Sequence, residues 1–214
     1  MDITFIFIIN LIGTFVFAIS GIRIASSKQM DWFGAYIIGL VTAVGGGTVR
    51  DLLLGVTPFW IEDSIFFLMT GVALLSTLVF KDRIFRWSKT LFLFDAIGLG
   101  LFTVVGISKS INAGLPIWVC IVMGMITGSV GGITRDILLN EIPLLFRKDI
   151  YALACIAGGV IYFSCDYFAL PKNFNEFLAA GSIMIIRIVA VKFHINLPTL
   201  NPIEAQLDRN KKNR

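Results

Sequence analysis

The sequence predicts an all-α membrane protein with seven transmembrane helices: two inverted three-helix repeats plus a seventh helix. Three observations carry this. Mean hydropathy is +0.85, with 57% hydrophobic and only 15% charged residues, outside the range of a soluble globular domain. Apolar runs of about 20 residues, long enough to cross a bilayer core as helix, recur along nearly the whole chain. One stretch also occurs twice: Ala43-Val-Gly-Gly-Gly-Thr-Val-Arg-Asp-Leu-Leu-Leu-Gly55 is answered by Gly128-Ser-Val-Gly-Gly-Ile-Thr-Arg-Asp-Ile-Leu-Leu-Asn140.

Spans are expected near residues 3–26, 32–54, 63–80, 88–109, 115–138, 149–168 and 174–193. The start at Met1-Asp2 has no basic region, and the following apolar run is too long for a signal peptide, so the first span is expected to be retained. Span one carries Asn10, Gly13, Ser20 and Gly21 among Phe, Ile and Val. The small residues suit close helix packing, and Asn10 in hydrocarbon needs a partner or a wet cavity.

Span two follows the interfacial Met30-Asp31-Trp32 and runs into Gly45, Gly46 and Gly47, then Thr48, Arg50 and Asp51. Each glycine weakens helix by roughly 1 kcal/mol relative to alanine, so a kink or unwound turn is expected. Span three is nearly featureless and reads as scaffold; the basic loop 81–89 follows it.

Span four holds Asp95 with Gly98, Gly100 and Gly106; the carboxylate faces either the bundle interior or the interface. Span five repeats the motif with Gly131, Gly132, Thr134, Arg135 and Asp136, and span six is rich in small residues. Span seven contains Arg187, which either snorkels or lines an interior path, and ends at the single histidine, His194, expected at the interface.

Charge placement excludes nucleic acid as the reason for a net charge of +4. Lys28, the 81–89 loop, Arg147 with Lys148, and the C-terminal Arg209, Lys211, Lys212 and Arg214 all fall on alternate connections, hence on one side of the membrane. The positive-inside rule then puts the N-terminus outside and the C-terminus in the cytoplasm. Cys120, Cys155 and Cys165 have no metal-ligand spacing and read as small buried hydrophobes. The interior offers no Ser/His, Cys/His or metal-ligand cluster, so neither an enzyme nor a cofactor is expected.

Arg50 and Arg135 lie 85 positions apart, and the same offset pairs Gly46 with Gly131, Asp51 with Asp136, Pro58 with Pro143, Gly13 with Gly98, Phe17 with Phe102 and Asn10 with Asp95. Each unit holds three spans, and an odd number of crossings turns the second copy upside down. Interrupted helices at matching places in such repeats point to the permeation or binding site, here spans two and five. Carbonyls freed by the breaks can replace part of a cation's hydration shell. The Arg-Asp pairs either line that path or lock the helices to their neighbours.

The segments Ile12–Gly21, Ala43–Gly55, Asp95–Gly106 and Gly131–Asp136 with Pro143 resemble the prokaryotic trimeric intracellular cation (TRIC) channels, a family also similar to proteins described as glycine transporters. The resemblance covers roughly residues 5–165. It implies a homotrimer with a pore in each protomer, conducting monovalent cations, chiefly potassium, in contact with membrane lipid. Gly45, Gly46, Gly47, Gly131 and Gly132, with Thr48 and Thr134, would shape the pore; Asn10, Ser20 and Asp95 would be its polar or cation-attracting groups. Arg50, Asp51, Arg135 and Asp136 would be structural pairs. Val130 stands where a third glycine is expected, and Asn10 where an acid is expected.

The expected organisation is a channel domain over residues 1–196, comprising repeats 3–80 and 88–168 and the helix 174–193, with a basic tail over 197–214. The competing function is a secondary transporter for a small, glycine-like solute.

Overall fold

The computed structural model describes residues 3–80, 90–147, 150–195 and 197. The basic loop 81–89 and all but the first residue of the basic tail lie outside the described residues.

Within them every element is helical: α1 Ile3–Ser27, α2 Trp32–Leu53, the single turn α3 Phe59–Glu62, α4 Ile65–Val79, α5 Thr90–Asn112, α6 Ile117–Leu138, a 3-10 turn Leu144–Phe146, α7 Ala152–Tyr167 and α8 Lys172–Lys192. Seven apolar helices thus stand where the hydropathy pattern puts them. Five of these, α1, α2, α5, α6 and α8, are long and apolar enough to cross a membrane. With 15 and 16 residues, α4 and α7 reach only about 22–24 Å at 1.5 Å per residue, short of a hydrocarbon core about 30 Å thick.

Local chemistry sets the ends. The Asp31 carboxylate caps α2 by accepting from the Gly34 amide at 2.7 Å. Proline occupies the N-cap of α3, α6, the 3-10 turn and α8, where its missing amide costs nothing. The chain leaves α2 and α6 through left-handed residues at Gly55 (φ +70°) and Asn140 (φ +55°), positions that correspond across the repeat.

The core joins α1, α2, α5 and α6. Helix α1 packs on α2 and α4 as α5 packs on α6 and α7, while α1 meets α5 and α2 meets α6 across the repeat. The contacts are reciprocal, as a two-fold relation requires. Phe17 and Phe102 stack on one another, ring centroids 5.2 Å apart, and each fills the space over the other half's glycine, Phe102 over Gly13 and Phe17 over Gly98. Gly39 lies against the Ala18 carbonyl just as Gly124 lies against that of Thr103. Helix α8 breaks the symmetry by packing on α5 and α7.

Of the kink or unwound turn expected at the glycines, the unwound turn is not found. Helix runs unbroken through Gly45, Gly46 and Gly47 and through Gly131 and Gly132. These glycines serve the close crossing described below, and at membrane depth an opened turn would strand backbone groups at several kcal/mol each, far above the ~1 kcal/mol cost of a helical glycine.

Not every glycine carries such a contact. A Cβ added at Gly71 in α4 or Gly181 in α8 meets nothing within 4 Å. Gly71→Ala and Gly181→Ala are therefore expected to be neutral or to stabilise by up to ~1 kcal/mol in a thermal melt of detergent-solubilised protein.

Candidate functional site

Helices α2 and α6 cross at two glycines, one from each repeat. A Cβ at Gly46 would collide with the Thr127 carbonyl, and one at Gly131 with the Thr42 carbonyl. Both threonines turn their hydroxyls back onto their own helices, Thr42 to Ile38 O and Thr127 to Met123 O, each at 2.6 Å. Neither hydroxyl is therefore directed at the other helix's glycine.

Gly45 borders Gly131 Cα at 3.5 Å and the Thr134 hydroxyl at 4.0 Å, whereas Gly47 is covered by the Phe59 ring. Gly132 faces Tyr151 Oη, Arg135 and Asp95. Thr48 and Thr134 are half-buried; Thr48 bonds Val44 O at 2.7 Å and accepts from Trp60 Nε1 at 2.8 Å, and Thr134 bonds Val130 O at 2.9 Å.

The last turns of α2 and α6 end in matching buried ion pairs. Arg50 Nε donates to Asp51 Oδ1 at 2.7 Å, and Arg135 Nε to Asp136 Oδ1 at 2.8 Å. The second oxygen of each aspartate accepts the backbone amide eight residues on, Phe59 N and Leu144 N, both at 3.0 Å. Each carboxylate thus ties its helix end to the following short turn, and each arginine sits where a cation complements the helix dipole.

Beyond this shared core the two ends differ. At the Arg135 end, Arg135 Nη1 donates to Asp95 Oδ1 at 2.8 Å and to Ser20 Oγ at 2.7 Å. Arg187 brings Nη2 to 3.8 Å from Asp95 Oδ2, donates to Ile150 O at 3.2 Å, and stacks over Tyr151 and Phe92, 4.6 and 4.9 Å from the ring centroids. Four helices, α1, α5, α6 and α8, are joined there. Asp95 and Arg187 are both fully buried, so both side chains face the interior of the helix bundle.

At the Arg50 end, Lys109 Nζ approaches Asp51 Oδ1 at 3.3 Å. Both cations stand over the Phe59 ring, 5.6 and 5.8 Å from its centroid. Asn10 is buried at 5% exposure with its Oδ1 unpartnered.

Of the candidate site residues, the fold brings together Ser20, Asp95, Arg135 and Asp136, and separately Arg50 and Asp51. Gly46 and Gly131 meet at the crossing, with Gly45 and Thr134 beside it. Composition and spacing did not single out Lys109, Tyr151 or Phe59, and left Arg187 open. For Lys109 a signal existed: in an inverted repeat the end of the fourth span lies on the same side as the end of the second, level with Asp51.

Outside the Arg135 end lies a cavity of about 220 Å³, lined among others by Lys28, Arg135, Asp136, Glu141 and Arg147. Lys28 pairs with Glu141 at 2.6 Å, and Arg147 with the same carboxylate at 3.5 Å. The hydrogen bond from Lys28 holds the Glu141 carboxyl below its usual range. Its pairing is therefore complete above the ordinary carboxylate range and is lost only as pH falls through that lowered value.

Comparison with known proteins places this geometry. A family model described as Glycine transporter matches the chain twice, over residues 7–82 and 92–167, two segments 85 positions apart. The crystal structure of the TRIC trimeric intracellular cation channel orthologue from Rhodobacter sphaeroides aligns with a TM-score of 0.83 at 32% identity, covering 89% of this chain and 98% of that one. The chain belongs to the TRIC and glycine-transporter family.

A second TRIC structure, described as the structural basis for conductance through TRIC cation channels, aligns with a TM-score of 0.81 at 33% identity over 94% of this chain and 98% of that one. The relatives of this TRIC-family chain include the UPF0126 inner membrane protein YadS of Escherichia coli strain K12, 39% identical over 194 residues, covering 89% of this chain and 94% of that protein. A UPF0126 membrane protein of Vibrio cholerae is 40% identical over 204 residues, covering 93% and 84%. The chain is thus an integral membrane protein on a channel scaffold, and both repeats fall inside the family match.

Proposed function

We propose that the chain is a passive channel for monovalent cations, permeable to potassium and to sodium, with a pore inside each protomer of a homotrimer. The observation that carries this reading is the alignment over 98% of a TRIC cation channel orthologue at a TM-score of 0.83, which leaves no element of that channel without a counterpart here.

The geometry supports it. The Arg135 and Asp95 charges are spent on each other, which neutralises an arginine that would otherwise repel cations near the α2–α6 crossing. The half-buried Gly45, Thr48 and Thr134 give that seam a partly polar lining. Because α2 and α6 keep their helical hydrogen bonds, no cage of free carbonyls is available to strip an ion. Cations therefore pass with much of their water, and discrimination between potassium and sodium is weak.

The unit is one channel domain over residues 1–196 with a basic tail over 197–214. The alternating basic connections orient it with the N-terminus outside and the tail in the cytoplasm of a bacterial inner membrane.

In a planar bilayer, the purified protein is expected to give single-channel currents whose reversal potential follows the potassium gradient. Replacing potassium by sodium should shift the permeability ratio by only a few-fold. Silence at every voltage, or a reversal potential that follows chloride, rules the reading out. Carriage of glycine as a coupled solute predicts saturable, competitor-sensitive uptake into proteoliposomes; a linear flux is expected instead.

A further inference from the structure

Of the charges that line the cavity outside the Arg135 end, most are already engaged. Asp136 accepts from Arg135 Nε at 2.8 Å through one oxygen and from the Leu144 amide at 3.0 Å through the other. Arg135 gives Nη1 to Asp95 and Ser20. Arg147 is anchored by its own loop, donating Nε to Ile142 O at 2.8 Å, and approaches Glu141 at 3.5 Å. Glu141 and Lys28 remain. Their 2.6 Å contact joins the α1–α2 connection to the α6–α7 connection beside the cavity, and both side chains are open to solvent.

Such a contact exchanges readily. An ammonium is a compact, hydrated point charge on a flexible stem, and an exposed pair of this kind is weakly held. Glu141 is a fixed negative charge at neutral pH, because the hydrogen bond from Lys28 holds its carboxyl below the usual range. Its oxygens are acceptors, the chemistry that a cation requires. The cavity supplies the room: about 220 Å³ holds an ion with several waters, at about 30 Å³ for each water. The Arg50 end has no equivalent pair, for the 85-position offset sets Ala113 in place of Lys28 and Val56 in place of Glu141, both exposed.

We propose that Glu141 is a cation-binding residue at the cytoplasmic mouth of the channel and that the Lys28 ammonium is a tethered competitor for it. A potassium or sodium ion reaches the Glu141 carboxylate when Lys28 swings away. With Lys28 and Arg147 both on Glu141, two cations face one carboxylate, so the paired state holds free cations off. With Lys28 withdrawn, the carboxylate turns from an occupied site into an attracting one. The inference rests on the channel reading, since it concerns how ions enter that channel.

The test is single-channel conductance of the full-length protein in planar bilayers as a function of symmetric potassium chloride concentration. Lys28→Gln should lower the half-saturating potassium concentration about three-fold. The double variant Lys28→Gln/Glu141→Gln should return it to the parent's value or above. Arg147→Gln removes the same charge from the same rim without freeing the carboxylate, and should shift the half-saturation less than half as far. The difference between Lys28→Gln and the parent should close at about 1 M salt, where screening acts within about 3 Å. Both side chains are exposed, so the variants are expected to melt with the parent.

A shift in Lys28→Gln that the added Glu141→Gln cancels supports the site. An unshifted Lys28→Gln, a shift that persists undiminished in the double variant, or an equal shift in Arg147→Gln overturns it, the last by showing that rim charge alone is at work. A conducting parent with any of these results sinks this inference and leaves the channel reading standing. A parent silent at every voltage sinks both.

Discussion

Asp95→Ala is expected to destabilise the folded protein by about 3–5 kcal/mol, the usual consequence of removing one partner from a buried charge cluster. The substitution leaves Arg135 and Arg187 fully buried, with Asp136 paired to Arg135, and withdraws the acceptor that joins α5 to α6 and α8. Chemical unfolding in mild detergent measures the loss. The Lys28–Glu141 bridge is the natural contrast. Its side chains are 42% and 38% exposed, so Glu141→Gln should leave stability close to that of the parent. Equal effects from the two substitutions would mean that the Asp95 cluster is hydrated rather than buried.

Gly46→Ala and Gly131→Ala are the second pair with large expected effects. Each adds a Cβ against a backbone carbonyl, Thr127 O or Thr42 O, and a carbonyl within a helix cannot swing aside as a side chain can. The two helices must separate, at a cost of about 1–3 kcal/mol for overpacking, and ion flux past the crossing should fall with the change in spacing. Gly45→Ala is the control, because its nearest neighbour, Gly131 Cα at 3.5 Å, is at ordinary contact distance. The Gly46→Ala/Gly131→Ala double variant should cost less than the two singles together, since either alone already opens the same crossing. Melting temperature and single-channel conductance report the two consequences separately.

The repeat and the apolar runs were legible because both are written in linear order. The 85-residue offset paired Gly46 with Gly131 and Asn10 with Asp95 without a gap, and hydropathy placed the helices to within a few residues. The state of the glycines was not legible from propensity. A scale measured in water ranks glycine as a helix breaker, whereas in hydrocarbon an opened turn has no water to satisfy its backbone. The better signal was spacing: Gly124 and Gly128 stand four apart, the pattern of helices in close approach. The partners of Arg135 were beyond reach for a different reason. Ser20 and Asp95 lie 115 and 40 positions away on two other helices, and Arg187 arrives on the one helix that the repeat does not contain.

That helix also divides the molecule dynamically. Among the described residues, ion pairs and hydrogen bonds at the Arg135 end stitch α1, α5, α6 and α8 together, whereas those at the Arg50 end join α2 to α3 and α5. Local opening free energy follows the number of such ties that must be released. A scaffold of two repeated halves thus carries more ties at one end than at the other, and amide hydrogen exchange is expected to be faster at the Arg50 end than at the Arg135 end.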